Sequence, residues 1–264
     1  MEKLVILVKS YSNHLEYTNQ LINTINKHNV DNIKVYLSVP KSQKDMFVNG
    51  VDLSNCELLF DEDIIKSDLN QSWFTQQLVK MHFSSMGLCE NYLWIDADSY
   101  FIKDFRISDF MYNDTTPYTN LTECKDLLTF CAPKGQYSGV FDAYAGDRRK
   151  VMEVFGRKGK LFDSVCPNLW SCKVFDDMRS QYLEPNNLTF TNLLQHVPGE
   201  LIWYTEYLLS RRPIDIVPCE GWFKAFHYLE QMNECRNLGN TEETLSRNYF
   251  GIVMPSKETN ELRF

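Results

Sequence analysis

Four short apolar runs, separated by segments of helical period, fill the first hundred residues, and this alternation limits the possible folds more than any other feature of the chain. Leu4 to Val8 is continuously apolar, as in a strand covered on both faces of a sheet. Asn13 stands where it would cap the next helix, with Glu16 at the capping-box position. Leu15, Leu21, Ile22 and Ile25 then recur at helical spacing. Ile33-Val35-Leu37-Val39 alternates strictly and stops at Pro40, which predicts a second strand. Lys41 to Val48 reads as a short helix and Cys56 to Phe60 as a third strand. A longer helix is predicted from Ser72 to about Met86, with Phe74, Leu78 and Met81 inward and Gly87 ending it. The fourth strand leads into Asp96 and Asp98. Strands separated by helices imply parallel pairing with right-handed crossovers, hence an α/β fold with a nucleotide-binding type of first half.

The stretch Tyr92-Leu93-Trp94-Ile95-Asp96-Ala97-Asp98-Ser99-Tyr100 carries the clearest chemical signal. An apolar strand ends in two carboxylates spaced i, i+2, which project from one face because strand side chains alternate. Two hard oxygen donors held together suit a divalent cation and, through it, a diphosphate. Spacing alone proves little, since the chain has 18 Asp and a second such triplet, Asp61-Glu62-Asp63, which reads as a solvated acidic loop. Context separates them: ligand sites in open α/β sheets cluster at the carboxyl ends of strands.

Beyond Phe105 regularity fades. Residues 111 to 198 are broken by Pro117, Pro133, Pro167, Pro185 and Pro198 and by glycines including Gly139 and Gly146, and read as loops with some strands. A helix is expected from about Gly199 to Ser210, a strand at Ile214 to Val217, a strand or loop at Gly221 to Tyr228, and one helix after Thr241. The composition, 44% hydrophobic and 14% aromatic, is that of a folded globule. A net charge of −8 argues against sequence-independent nucleic-acid binding and against polybasic attachment to anionic lipid. No apolar run is long enough for a signal-peptide core or a membrane span. The eight cysteines show no C-x-x-C or zinc-type spacing and suit reduced core thiols, which implies a cytoplasmic protein.

Several short segments, taken in order, resemble the nucleotide-sugar glycosyltransferases of the glycosyltransferase-A fold. They are Ile6-Leu7-Val8-Lys9-Ser10-Tyr11, Leu37-Ser38-Val39-Pro40, Trp73-Phe74-Thr75-Gln76-Gln77-Leu78-Val79-Lys80, Leu93-Trp94-Ile95-Asp96-Ala97-Asp98, Trp203-Tyr204-Thr205-Glu206-Tyr207 and Phe226-His227. The chain is similar in particular to bacterial enzymes associated with surface-polysaccharide synthesis. The resemblance implies one Rossmann-like α/β domain over 1–264 with a mainly parallel mixed sheet. Residues 1–105 would form its nucleotide-binding half, 106–235 its acceptor half and 236–264 a C-terminal tail. It implies a nucleotide-sugar donor of UDP type, a glycan or lipid-linked saccharide acceptor, Mn²⁺ or Mg²⁺ as cofactor, and work in the cytoplasm or at the inner face of the membrane.

The resemblance also implies roles for single residues. Asp98 would be a metal ligand, Asp96 a ligand or a partner of the ribose, with Ala97 between them. His227 would be a late metal ligand, or else a core histidine between Phe226 and Tyr228. Glu206 would take the proton from the acceptor hydroxyl, favouring inversion, and partial burial would raise its basicity; Glu200 is the runner-up. Tyr11 would stack on the base or act as a hydrophobic lid, Lys9 and Ser10 would meet phosphate or ribose, Asp61 a uracil-like base, and Lys80 the donor phosphates. The remaining histidines, His14 among them, read as structural or surface residues. Two other classes stay open: a phosphohydrolase of haloacid dehalogenase type, with Lys173 and Asp176-Asp177 imitating its later motifs, and a non-catalytic glycan-binding protein.

Overall fold

A computed structural model of the 264-residue chain describes residues 1–65 and 73–264; Ser72, the expected start of a helix, lies outside them. The strands are β1 (Glu2–Lys9), β2 (Val35–Val39), β3 (Cys56–Phe60), β4 (Cys89–Asp96), β5 (Ser99–Phe101), β6 (Tyr118–Asn120), β7 (Asn168–Ser171), β8 (Val217–Cys219), β9 (Phe223–Ala225) and β10 (Gly251–Val253). The main sheet has the order β3-β2-β1-β4-β7. Its first four strands run parallel, and β7 is antiparallel to β4. This is the expected α/β class, with a mixed but mainly parallel sheet.

Alternation along β1 shows why the sheet is buried on both sides. Val5 and Leu7 face a core that also holds Tyr36, Tyr92, Trp94 and Trp170 with the helices Trp73–His82, Cys172–Met178 and Glu200–Arg211. Leu4, Ile6 and Val8 face the opposite core, with Val35, Leu37, Leu93 and Ile95 under Leu21, Ile22 and Ile25 of the helix Leu15–His28. A smaller sheet, β5-β10-β9, builds a third core around Tyr17, Tyr100, Phe226 and Ile252. Gly251 sits in its middle strand, where a Cβ would come within 2.4 Å of the Phe223 ring and the Tyr100 carbonyl, so only glycine fits.

Several sequence expectations need correction. Asn13 caps nothing: Ser12–His14 forms a 3₁₀ turn, and the helix begins at Leu15 with no side-chain cap. Asp61-Glu62-Asp63 is not a solvated loop, because it opens a short helix, Asp61–Ile64, and Asp61 is 3% exposed. The stretch 111–198 is largely helical, with Ser138–Val154 its longest element. Gly139 and Gly146 lie inside that helix, whereas Gly156, at φ +66°, follows its end. The strand expected at Ile214 to Val217 is Val217–Cys219, an unforeseen helix, Leu229–Asn237, leads into the polar tail, and the tail holds strand β10. The helix after Thr241 is present as Glu242–Leu245, with the Thr241 hydroxyl accepting from the Thr244 N–H. Among the described residues no helix is long and apolar enough to cross a membrane.

Candidate functional site

Strand order determines where a ligand can enter. From β1 the chain steps to β2 on one side and to β4 on the other, so the crevice beyond their carboxyl ends is a topological switch point. Register places Lys9 at the end of β1 opposite Asp96 at the end of β4. A cavity of about 590 Å³ opens there, walled by Lys9 at the end of β1 and Tyr11 beyond it, Pro40 and Gln43 after β2, Asp61 after β3, and Asp96 at the end of β4 with Ala97 and Asp98 beyond it. Trp73, 56% exposed, and Tyr11 supply aromatic surface, and Ser256 and Lys257 close the cavity from the C-terminal segment.

Charges in the wall are paired at depth. Lys9 Nζ lies 3.0 Å from Asp61 Oδ2, and the Ser38 hydroxyl donates to Asp61 Oδ1 at 2.6 Å. Burial pulls the Lys9 ammonium below its ordinary range and pushes the Asp61 carboxyl above its own, each opposed by the other's charge. Such a pair adds little net stability, but removing one partner would strand a buried charge. Lys80, 3% exposed, lies 2.7 Å from Asp96 Oδ1, 3.0 Å from Glu200 Oε1 and 3.9 Å from the centre of the Trp94 ring. Burial lowers its pKa, but Asp96 and Glu200 outweigh that and hold it above the usual lysine range. Gln77 fixes the far end of this chain by accepting the Glu200 N–H at 3.1 Å.

Asp98 differs from its neighbours. Ser256 donates to its Oδ2 at 2.5 Å, while Oδ1 is shut off from solvent and has no hydrogen-bond partner among the described residues. Burial, and then the charge of Asp96, push its carboxyl up to about 6. An unpaired, buried carboxylate oxygen beside a second carboxylate is a donor set that fits a divalent cation. Among the described residues no three His, Cys, Asp or Glu side chains form a ready-made metal cluster, so Asp96 and Asp98 would need oxygens from a ligand to complete one.

The other expected site residues divide. Lys9, Tyr11, Asp61, Asp96, Ala97 and Asp98 meet at the cavity, whereas Ser10 and Lys80 stand behind its wall, Ser10 bonded to the Thr18 hydroxyl at 2.5 Å. His227 lines a different cavity of about 710 Å³, with Phe223, Lys224, Gln231, Asn248 and Tyr249. Burial and the nearby Lys224 lower its pKa, against the pull of Asp163. Glu206 was expected to be partly buried and poised over an acceptor; it is 0% exposed, lines neither cavity, and is gripped by Arg157 through Nε and, at 2.7 Å, Nη2. Lys173 and Asp176-Asp177 lie on the helix Cys172–Met178 away from both cavities, with Asp176 paired to Arg179 and Asp177 accepting from the Tyr207 hydroxyl.

Sequence reasoning missed His14, Trp73, Ser256 and Lys257 as cavity residues. Trp73 was visible as an aromatic in the first turn of a predicted amphipathic helix. Ser256 and Lys257 carry no local signal, because Ser256 meets Asp98 from 158 positions further along the chain and Lys257 follows it into the cavity.

The fold has known counterparts. Two solved structures share the fold: the WbbM bifunctional glycosyltransferase in its apo form (TM-score 0.51, 12% identity, 95% of this chain and 45% of that one) and apo mouse xyloside xylosyltransferase 1 (TM-score 0.52, 7% identity, 98% of this chain and 100% of that one). The chain thus spans less than half the length of the bifunctional protein. Among curated proteins none matches it in sequence. The fold is that of the glycosyltransferase-A enzymes, and with a family profile matching residues 1–242 the chain belongs to the family of unknown function DUF6492.

Proposed function

We propose that the protein is a metal-dependent glycosyltransferase that binds a sugar nucleotide in the cavity at the carboxyl ends of β1–β4. The observation that carries this reading is the buried Oδ1 of Asp98, unpartnered among the described residues, beside Asp96 at the switch point of a sheet shared with glycosyltransferases. Asp98 and Asp96 would hold Mn²⁺ or Mg²⁺, which when bound stabilises negative charge on a diphosphate leaving group as a Lewis acid. Lys80 neutralises Asp96 from behind and fixes its orientation through the shared contact with Glu200. Lys257 lines the cavity without an ion-pair partner among the described residues, and supplies positive charge for the phosphates. Tyr11 and Trp73 offer faces for the nucleobase, and Asp61, locked by Lys9 and Ser38, offers an acceptor of fixed position. A UDP-type donor suits that acceptor. A glycan or lipid-linked saccharide would enter from the second half of the chain, where the larger cavity lies.

The test is hydrolysis of sugar nucleotides in the absence of acceptor. The protein with Mn²⁺ is expected to release free sugar slowly from one of the UDP, GDP, CMP or dTDP sugars, and to leave a generic aryl phosphate intact. Robust aryl-phosphate turnover that disappears in Asp96→Asn would overturn the reading in favour of a phosphohydrolase.

A further inference from the structure

The family profile ends at residue 242, yet the wall behind Asp98 is built from chain beyond it. After β10 the Met254 N–H donates to the Asp98 carbonyl at 2.8 Å, and two residues later the Ser256 hydroxyl donates to Asp98 Oδ2 at 2.5 Å. One short segment therefore grips both the backbone and the side chain of the residue at the centre of the cavity. The same segment is then fastened away from the site. The Tyr17 hydroxyl meets the Thr259 carbonyl at 2.8 Å and the Glu261 carbonyl at 3.2 Å, and Gln20 Nε2 donates to the Leu262 carbonyl at 2.5 Å. At the terminus the Phe264 N–H donates to the Tyr100 hydroxyl at 2.8 Å, and its ring stacks on Phe226 at 5.3 Å. Tyr100 in turn donates to Glu242 at 2.8 Å.

From this arrangement we infer that Ser256 is a positioning residue for Asp98, and that the strap 254–264 sets the metal affinity of the donor cavity. With Oδ2 occupied by Ser256, the carboxylate cannot rotate freely, and Oδ1 is the oxygen left for a cation. Groups that orient a ligating carboxylate commonly change metal affinity by about 10–100-fold when removed. The inference rests on the reading of this cavity as a metal–nucleotide site, and its test separates the two.

The experiment titrates Mn²⁺ in the presence of saturating UDP and follows free Mn²⁺ by electron paramagnetic resonance, with melting temperature measured on each metal-free protein. Ser256→Ala is expected to weaken Mn²⁺ uptake by about tenfold at an unchanged melting temperature, and Ser256→Thr, which keeps the hydroxyl, to restore it. Equal uptake by wild type and Ser256→Ala would overturn the inference and leave the cavity reading standing. Equal weakening in the Ala and Thr variants would also overturn it, because the hydroxyl would then not be the agent. Absence of uptake by the wild type with UDP and equally with GDP, CMP and dTDP would overturn both. Tyr17→Phe, which removes two fastenings of the strap and no hydrogen bond to Asp98, is expected to weaken uptake as well; unchanged uptake there would refute the part assigned to the strap.

Discussion

Glu206 and Asp98 show how differently a carboxylate can be used within one fold. The segment Trp203 to Tyr207 reads as a helix with one acidic residue among aromatics, which is a reasonable setting for a base. No sequence pattern reveals that Arg157, 49 residues earlier, takes both of its oxygens. A buried pair of this kind is costly to break from one side, because the remaining charge keeps its desolvation penalty. Glu206→Gln is therefore expected to destabilise the protein by about 3 kcal/mol, read as a lower denaturation midpoint, while Mn²⁺–UDP affinity stays near wild type. A variant of unchanged stability that transfers sugar far more slowly would instead restore Glu206 to the chemistry. Among the described residues Asp98 has no ion-pair partner, only the Ser256 hydroxyl on one oxygen. Asp96, by contrast, is held by Lys80.

Elements were legible in proportion to how strongly their burial pattern is local. β1 to β4 and the helices Leu15–His28 and Glu200–Arg211 were visible because apolar residues repeat at the period of each element. The helix Ser138–Val154 was not, because two glycines and many polar residues weaken its pattern, and its partners are distant in sequence. The helix Phe190–His196 carried a signal that could have been used: Thr189 caps it, with Asn192 at the reciprocal position. The helix Trp73–His82 ends at His82, whose ring packs edge-on to Phe190 at 5.1 Å. Burial, and then the charge of Arg179, hold His82 below the usual imidazole pKa. With the folded pKa depressed, the unfolded chain binds the proton more readily below about pH 6.5, so His82 contributes stability that is lost as pH falls through that range. The loss of stability between pH 7 and pH 5.5 is expected to be smaller in His82→Gln than in wild type, measured by urea denaturation at both pH values. An identical pH dependence would show that His82 is not held neutral.

Across the whole molecule, the first half and the site it creates follow from parallel pairing: once β1 and β4 are neighbours, Lys9 and Asp96 must emerge together. The remainder of the cavity depends on how the chain returns. Ser256 and Lys257 reach it because β10 pairs with β5, the strand immediately after Asp98, and no periodicity in a polar tail announces that pairing. The second cavity is likewise assembled from separate stretches of chain, which leaves His227 there and not beside Asp98. The central claim is a metal-dependent sugar-nucleotide site at Asp96 and Asp98, and the most direct measurement is the melting temperature of wild type and Asp98→Ala with Mn²⁺ and each of UDP, GDP, CMP and dTDP. One nucleotide at a concentration of about 100 Kd should stabilise the wild type by about 2.7 kcal/mol, a readily measured shift. Asp98→Ala should melt at the same temperature as the ligand-free wild type and show no shift. A wild type that responds to none of the nucleotides with Mn²⁺, or an Asp98→Ala protein that responds equally well, would contradict the claim.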